Sequence, residues 1–259
     1  MKPISKDPFE HYFYERAQLA DDLVTSGAYV DAYILATSSL DALAEIWVTD
    51  FPDIKQNLDK ELGGSIPSSI RLSRFLKEFA SSDPDVKKVA VLCFAEDWKH
   101  YRPQDSHLAN QLINRRLSDN TNELLRLHIL PDSSLDISRE ELSKECPEIA
   151  SQLHLFALAE EYEYGALIYT FYRCPLVHSA TGSGRTHGFA RGEQSMYYWS
   201  YYEDNRTTIG FGNNLVTRWL RHAVSGYVQS CEKLGIVPAN NFDAGSNHEK
   251  RFQKKWTRF

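Results

Sequence analysis

The chain has 259 residues, 42% of them hydrophobic and among them 14 Tyr, 13 Phe and 5 Trp, which is material for one large core. Its net charge of −6 is not the field of a general nucleic-acid binder, and no apolar run reaches the length that spans a bilayer. Four scattered cysteines (Cys93, Cys146, Cys174, Cys231) form no C-x-x-C pair, and Met1–Asp7 lacks an apolar signal core. These features argue against a zinc ribbon or a disulfide framework and point to a reducing cytoplasm.

In chain order the sequence reads as helical nearly throughout. Asp7-Pro8 caps and opens a first helix carrying Phe9, Tyr12, Phe13, Leu19, Ala20 and Leu23, which Gly27 stops. A second helix is expected from about Tyr29 to Thr49, with Val30, Tyr33, Ile34, Thr37, Ala44 and Val48 on one face and Phe51-Pro52 at its end. Gly63 to Ser69 reads as a loop with a cap, opening a helix that carries Ile70, Phe75, Leu76 and Phe79. Asp83-Pro84 opens a further segment through Val86, Val89, Leu92 and Cys93, whose β-branched content allows a strand and whose Asp-Pro start favours a helix.

The stretch from Asp97 to Asp119 mixes polar and apolar residues and gives no clear boundaries. Leu130 to Ser134 is a break, and Ser138 is placed to cap a short helix with Leu142, Cys146 and Ile149 on its apolar side. Leu153 to Tyr172 reads as one long, largely buried helix. Beyond the glycine-rich Ser179 to Gly192, Met196–Tyr202 and Arg206–Phe211 alternate like the strands of a hairpin around Asp204-Asn205. A last helix, from about Asn214 to Lys233, presents Val216, Leu220, Ala223, Tyr227 and Cys231 on one face before Gly235 and Pro238. With no internal repeat and no long linker, residues 1–259 read as a single all-α domain with a small β-hairpin insertion. The N-terminal helices are the one candidate for a semi-separate lobe.

The segment Phe171-Tyr172-Arg173-Cys174-Pro175-Leu176-Val177-His178 carries the functional reading. An imidazole moves protons near neutral pH, and a guanidinium holds phosphate through a fork of fixed charge. In an unbroken helix positions five apart point about 140° from each other. Pro175 removes a backbone donor and disfavours helical angles at Cys174, so a break there is expected to aim Arg173 and His178 into one cleft.

Tyr172 to His178 resembles the Arg-x-x-x-x-His signature of the HEPN superfamily, helical domains that include metal-independent ribonucleases. The segment Ala32 to Ala44 is similar to the first core helix of such domains, and the likeness in architecture covers about residues 28–234. The resemblance implies an HEPN-like helical bundle that cleaves RNA without metal or cofactor. His178 would act as general base or acid on a ribose 2′-hydroxyl, and Arg173 would stabilise charge on the scissile phosphate. It also implies a homodimer with a composite cleft, an RNA substrate, and an antitoxin or regulatory protein as a further partner, in toxin–antitoxin or anti-phage defence. Active members usually carry a polar residue after the arginine, where this chain has Cys174, and Ala180 stands where one toxin branch has Tyr. The alternative is a catalytically silent module of the same type that binds nucleic acid, nucleotide or a protein partner.

Other features read as follows. Asp41 falls on the apolar stripe of the second helix and needs a partner there: an ordinary structural salt bridge, or near the site a backbone group that it caps or an arginine, Arg173 among them. His154, His178 and His187 match no two-histidine ligand spacing, so no metal site is expected. Gly182, Gly184, Gly188 and Gly192 do not follow a strand and precede a helix, as a dinucleotide fingerprint requires. With Arg185 and Arg191 that loop is a candidate for gripping an RNA backbone, the alternative being a simply mobile loop. Tyr197, Tyr198, Trp199, Tyr201 and Tyr202 are base-stacking rings, part of a half-buried strand pair or an oligomer contact. The basic-aromatic tail 249–259 reads as an amphipathic segment docked on its own domain or on a second subunit, or as a single-strand contact.

Overall fold

The computed structural model describes residues 8–117, 133–179, 183–189, 194–200 and 207–237. Among the described residues the first nine helices are α1 (Pro8–Thr25), α2 (Tyr29–Asp50), α3 (Pro52–Leu62), α4 (Ser68–Phe79), α5 (Val91–Tyr101), α6 (Ser106–Arg116), α7 (Arg139–Glu145), α8 (Pro147–Ser151) and α9 (Leu153–Glu160). Tyr164–Leu167, a π-helical stretch Ile168–Arg173 and Cys174–Ser179 then follow one another without a gap and are together called α10. The last helix is α11 (Leu215–Leu234). Two short antiparallel pairs complete the fold, β1 (Lys88–Val89) with β2 (Ile137–Ser138) and β3 (Met196–Ser200) with β4 (Thr207–Phe211). The chain is mainly α with a small hairpin, as its sequence predicts. No helix among the described residues is long and apolar enough to cross a membrane.

The main core lies between α1, α2, α4, α10 and α11, with Phe13, Tyr33, Leu40, Phe75, Trp219 and Tyr227 at its centre. Burying each such side chain contributes roughly 2–3 kcal/mol of transfer free energy. Gly226 lets α11 approach α4 closely, since a Cβ there would stand 2.3 Å from the Phe79 carbonyl oxygen. A smaller core of Phe94, Trp98, Leu112, Leu142 and Leu155 gathers α5, α6 and α7–α9, and Ile113 and Tyr162 pack against both cores. The N-terminal helices are therefore not the separable part: α1 packs on α2 and α11 inside the main core.

Several elements follow their sequence signals. The predicted face of α11 is fully buried, and Gly235 ends that helix in the left-handed conformation at φ 66°. Ser138 forms a capping box with Glu141. In the hairpin Tyr198 pairs with Ile209, while its connection at 201–206 lies outside the described residues, as do Asp7, Gly182, Arg191, Gly192, Pro238 and the tail 249–259.

Others depart from them. On α2 the expected Tyr33, Thr37, Ala44 and Val48 are buried together with Ala36, Leu40, Leu43 and Trp47, but Val30 is exposed. Phe51 ends α2 as expected, but Pro52 at once starts another helix, and α4 begins without a side-chain cap, after Pro67. Asp83 caps a 3-10 turn, Pro84–Lys87, that leads into β1 before α5 begins. The long helix expected from Leu153 to Tyr172 is interrupted after Glu160. There the Tyr162 carbonyl accepts the Ala90 N–H (2.9 Å) and Glu163 bridges to Val89, so tertiary pairing overrides helix propensity.

The interruption turns Glu160 and Glu163, both buried, onto three cations. Lys77 and Arg139 reach both carboxylates, Arg74 reaches Glu160, and the Ser73 hydroxyl donates to Glu163 at 2.6 Å. Burial pushes the Glu160 carboxyl up, but the hydrogen bond from Arg74 and the nearby Lys77 and Arg139 charges outweigh it, so it titrates below the ordinary carboxylate range. This network fastens the entry of α10 to α4.

Another buried carboxyl, Asp136, joins three elements. It accepts from Tyr164 Oη at 2.5 Å, Tyr198 Oη at 2.6 Å and the Val91 N–H at 3.0 Å. The start of α10, the hairpin and the start of α5 thus converge on one group. Burial pushes Asp136 up to about 7, against the opposing pull of those three hydrogen bonds. The folded chain therefore holds a proton on Asp136 that the unfolded chain releases near pH 4. The stability this contributes is complete below that pH and is lost as pH rises through about 7. Urea unfolding of the wild type and Asp136→Asn across pH 4 to 8 is expected to show a stability difference that shifts in favour of the variant as pH rises, then levels off. A pH-independent difference would contradict this assignment.

Candidate functional site

The signature residues sit on α10, and their local geometry is set by Pro175. The helix does not break there, contrary to the expectation from sequence. Instead it widens before the proline: Arg173 ends the π-helical stretch, and the Cys174 N–H donates to the Tyr169 carbonyl five residues back. Pro175 has no N–H to give the Phe171 carbonyl, its partner in an α-helix. The Ser183 N–H takes that place at 3.2 Å, tying the following loop back onto the helix.

Arg173 turns toward α2. Its Nη2 lies 2.9 Å from Asp41 Oδ2, and its guanidinium stands over the Tyr169 ring at 5.4 Å. The other carboxylate oxygen, Asp41 Oδ1, accepts from Arg71 Nη2 of α4 at 3.0 Å, and Arg71 also pairs with Glu45. The trio is mostly shielded, with side-chain exposures of 21% for Arg173, 12% for Asp41 and 14% for Arg71. Of the two partners weighed for Asp41, both occur at once: Arg173 near the site and a second arginine from another helix. Arg71 carries no sequence signal, lying on a helix whose pattern reports only its apolar face. Tyr169 could have been found by its position, four residues before Arg173.

His178 lies on the last turn of α10. It is exposed, and no described residue hydrogen-bonds to its ring. Val177 beside it is 41% exposed, whereas Leu176 is buried. Because Cys174–Ser179 is α-helical, Arg173 and His178 point away from each other, and the single cleft expected from a break at Pro175 is not formed within one chain.

The remaining candidates have other partners. His154 faces Arg102, and the His187 Nδ1–H donates to Tyr197 Oη at 2.6 Å while that hydroxyl donates to the Gly188 carbonyl. Burial lowers the titration of His187, whose ring stacks on Trp199. Among the described residues no group of three or more His, Cys, Asp or Glu side chains gathers as metal ligands would. Arg185 pairs with Asp97 at 2.7 Å and is mostly buried, so it does not offer its charge to an RNA backbone. Tyr197 and Tyr198 are buried and serve the fold, Tyr198 through Asp136. Tyr172 fixes the hairpin to α10, donating to the Ile209 carbonyl and accepting the Phe211 N–H. Cys174 is half-buried and its thiol is free.

Comparison with family models, curated proteins and solved structures returns no match for this chain.

Removing the Asp41 charge leaves two shielded arginines facing each other. Asp41→Asn is expected to cost on the order of 2 kcal/mol in urea unfolding. In a double-mutant cycle with Arg173→Ala the cost of the double variant should fall short of the sum of the two single costs, whereas strict additivity would show that the pair does not couple.

Proposed function

We propose that the chain is a metal-independent endoribonuclease of the HEPN type, working as a pair of identical subunits. In this reading Arg173 of one copy and His178 of the partner subunit face one cleft. The imidazole takes the proton of a ribose 2′-hydroxyl, and the 2′-oxygen attacks the adjacent phosphorus. The bond to the 5′-oxygen breaks, that oxygen takes a proton from solvent, and Arg173 stabilises the charge gathering on the phosphoryl oxygens. The products are a 2′,3′-cyclic phosphate end and a 5′-hydroxyl end. A cytoplasmic location and a defence role under an antitoxin or regulatory protein belong to the same reading.

The observation that carries it is the contrast between the two signature side chains. The arginine is fixed by a carboxylate opposite it, as an electrostatic stabiliser must be, and the histidine is left open at a helix end, as a proton carrier must be. Their divergence on one helix favours a site completed by a second copy, and exposed Val177 supplies apolar surface beside it. A second reading, a silent module that binds nucleic acid, nucleotide or a protein partner, has its own support. Cys174 follows the arginine, and Asp41 already occupies one edge of the Arg173 guanidinium.

Purified protein incubated with total RNA in EDTA separates the two. Wild type is expected to leave cyclic-phosphate ends. His178→Ala should lose roughly a hundred- to ten-thousand-fold in rate with little change in unfolding midpoint, and Arg173→Ala should also be impaired. Equal cleavage by all three proteins would sink the assignment, and binding without cleavage by wild type would favour the silent module.

A further inference from the structure

We infer that Arg71 is a positioning residue for Arg173, acting through the carboxylate they share; this rests on the ribonuclease reading above. The geometry divides Asp41 between two cations, Oδ1 to Arg71 at 3.0 Å and Oδ2 to Arg173 at 2.9 Å. Three helices meet at that point, α2 with Asp41, α4 with Arg71 and α10 with Arg173. A carboxylate gripped on one oxygen from α4 cannot rotate, so its second oxygen holds the guanidinium of α10 in a fixed direction.

The charge balance gives Arg71 a second effect. Asp41 alone would neutralise Arg173 and leave little field for a phosphate. With Arg71 drawing on the same carboxylate, the Arg71–Asp41–Arg173 trio carries a net positive charge. Glu45, the other partner of Arg71, is 59% exposed, so water screens its charge from Arg173 more than it screens that of Asp41. Arg71 itself does not touch the substrate: its guanidinium faces two carboxylates and its Nε is buried. It is thus the element that lets Arg173 be both anchored and positive.

The test is steady-state cleavage of a single-stranded oligoribonucleotide in EDTA by wild type, Arg71→Ala, Arg71→Lys, Asp41→Asn and the double variant Asp41→Asn/Arg71→Ala, each checked for folding by circular dichroism. Arg71→Ala should lower kcat by roughly tenfold with a smaller change in KM, and Arg71→Lys, which keeps the charge, should recover most of that loss. Because Arg71 acts through Asp41, adding Arg71→Ala to Asp41→Asn should change kcat no further. Active wild type with an equally active, folded Arg71→Ala would overturn the inference alone, as would independent losses that multiply in the double variant. Should Arg71→Ala not fold, Arg71→Lys against Asp41→Asn carries the comparison, and an Arg71→Lys as impaired as Asp41→Asn would overturn it. An inactive wild type would remove the ribonuclease reading and this inference together.

Discussion

One missing hydrogen-bond donor governs the part of the molecule that carries the signature. Pro175 cannot satisfy the Phe171 carbonyl, and its ring crowds the preceding turn. The helix responds by widening over Ile168–Arg173 rather than by ending, and the Ser183 N–H takes the orphaned carbonyl. Two consequences follow. Arg173 leaves the widened stretch directed at α2, and Ser183 is held against α10, while Tyr172 and Tyr33 hold the hairpin segment through the Ile209 and Gly212 carbonyls. Widened turns of this kind recur where a helix serves a function, because they re-aim a side chain without giving up the helix.

The same helix is held at both ends by polar groups that tolerate no loss of partner. At its start Glu160 and Glu163 face Arg74, Lys77 and Arg139, and Tyr164 donates to Asp136. Toward its other end Arg173 shares Asp41 with Arg71. Buried charge pairs contribute little net stability over well-packed apolar residues, but breaking one is costly. Their effect here is directional: they fix where α10 lies on α2 and α4, and so where Arg173 stands.

Much of this was legible in the sequence, and the failures have identifiable causes. The last helix could be read from Val216 to Cys231 and from Gly235 because a surface helix reports its buried face and its stop locally. The capping box at Ser138 and Glu141 is equally local. The interruption after Glu160 was not legible, because it depends on Ala90 pairing with Tyr162, residues 72 apart in the chain, and nothing near Glu161 breaks a helix. Asp41 was conspicuous as a carboxylate on an apolar stripe, yet its two partners come from helices that only the tertiary fold brings near. Pro175 was correctly marked as the point of strain. The response is not legible there, since a proline predicts a lost donor but not whether the helix breaks or widens.

An unbroken α10 sends Arg173 and His178 in different directions, and the ribonuclease reading then requires that two copies complete each other. Mixing Arg173→Ala and His178→Ala subunits, each inactive alone, measures this directly. Random exchange makes half the pairs mixed, each with one of two sites intact, so the account predicts recovery of roughly a quarter of wild-type cleavage in EDTA. Mixtures as inactive as either variant alone, at protein concentrations where the copies are shown to pair and exchange, would contradict it.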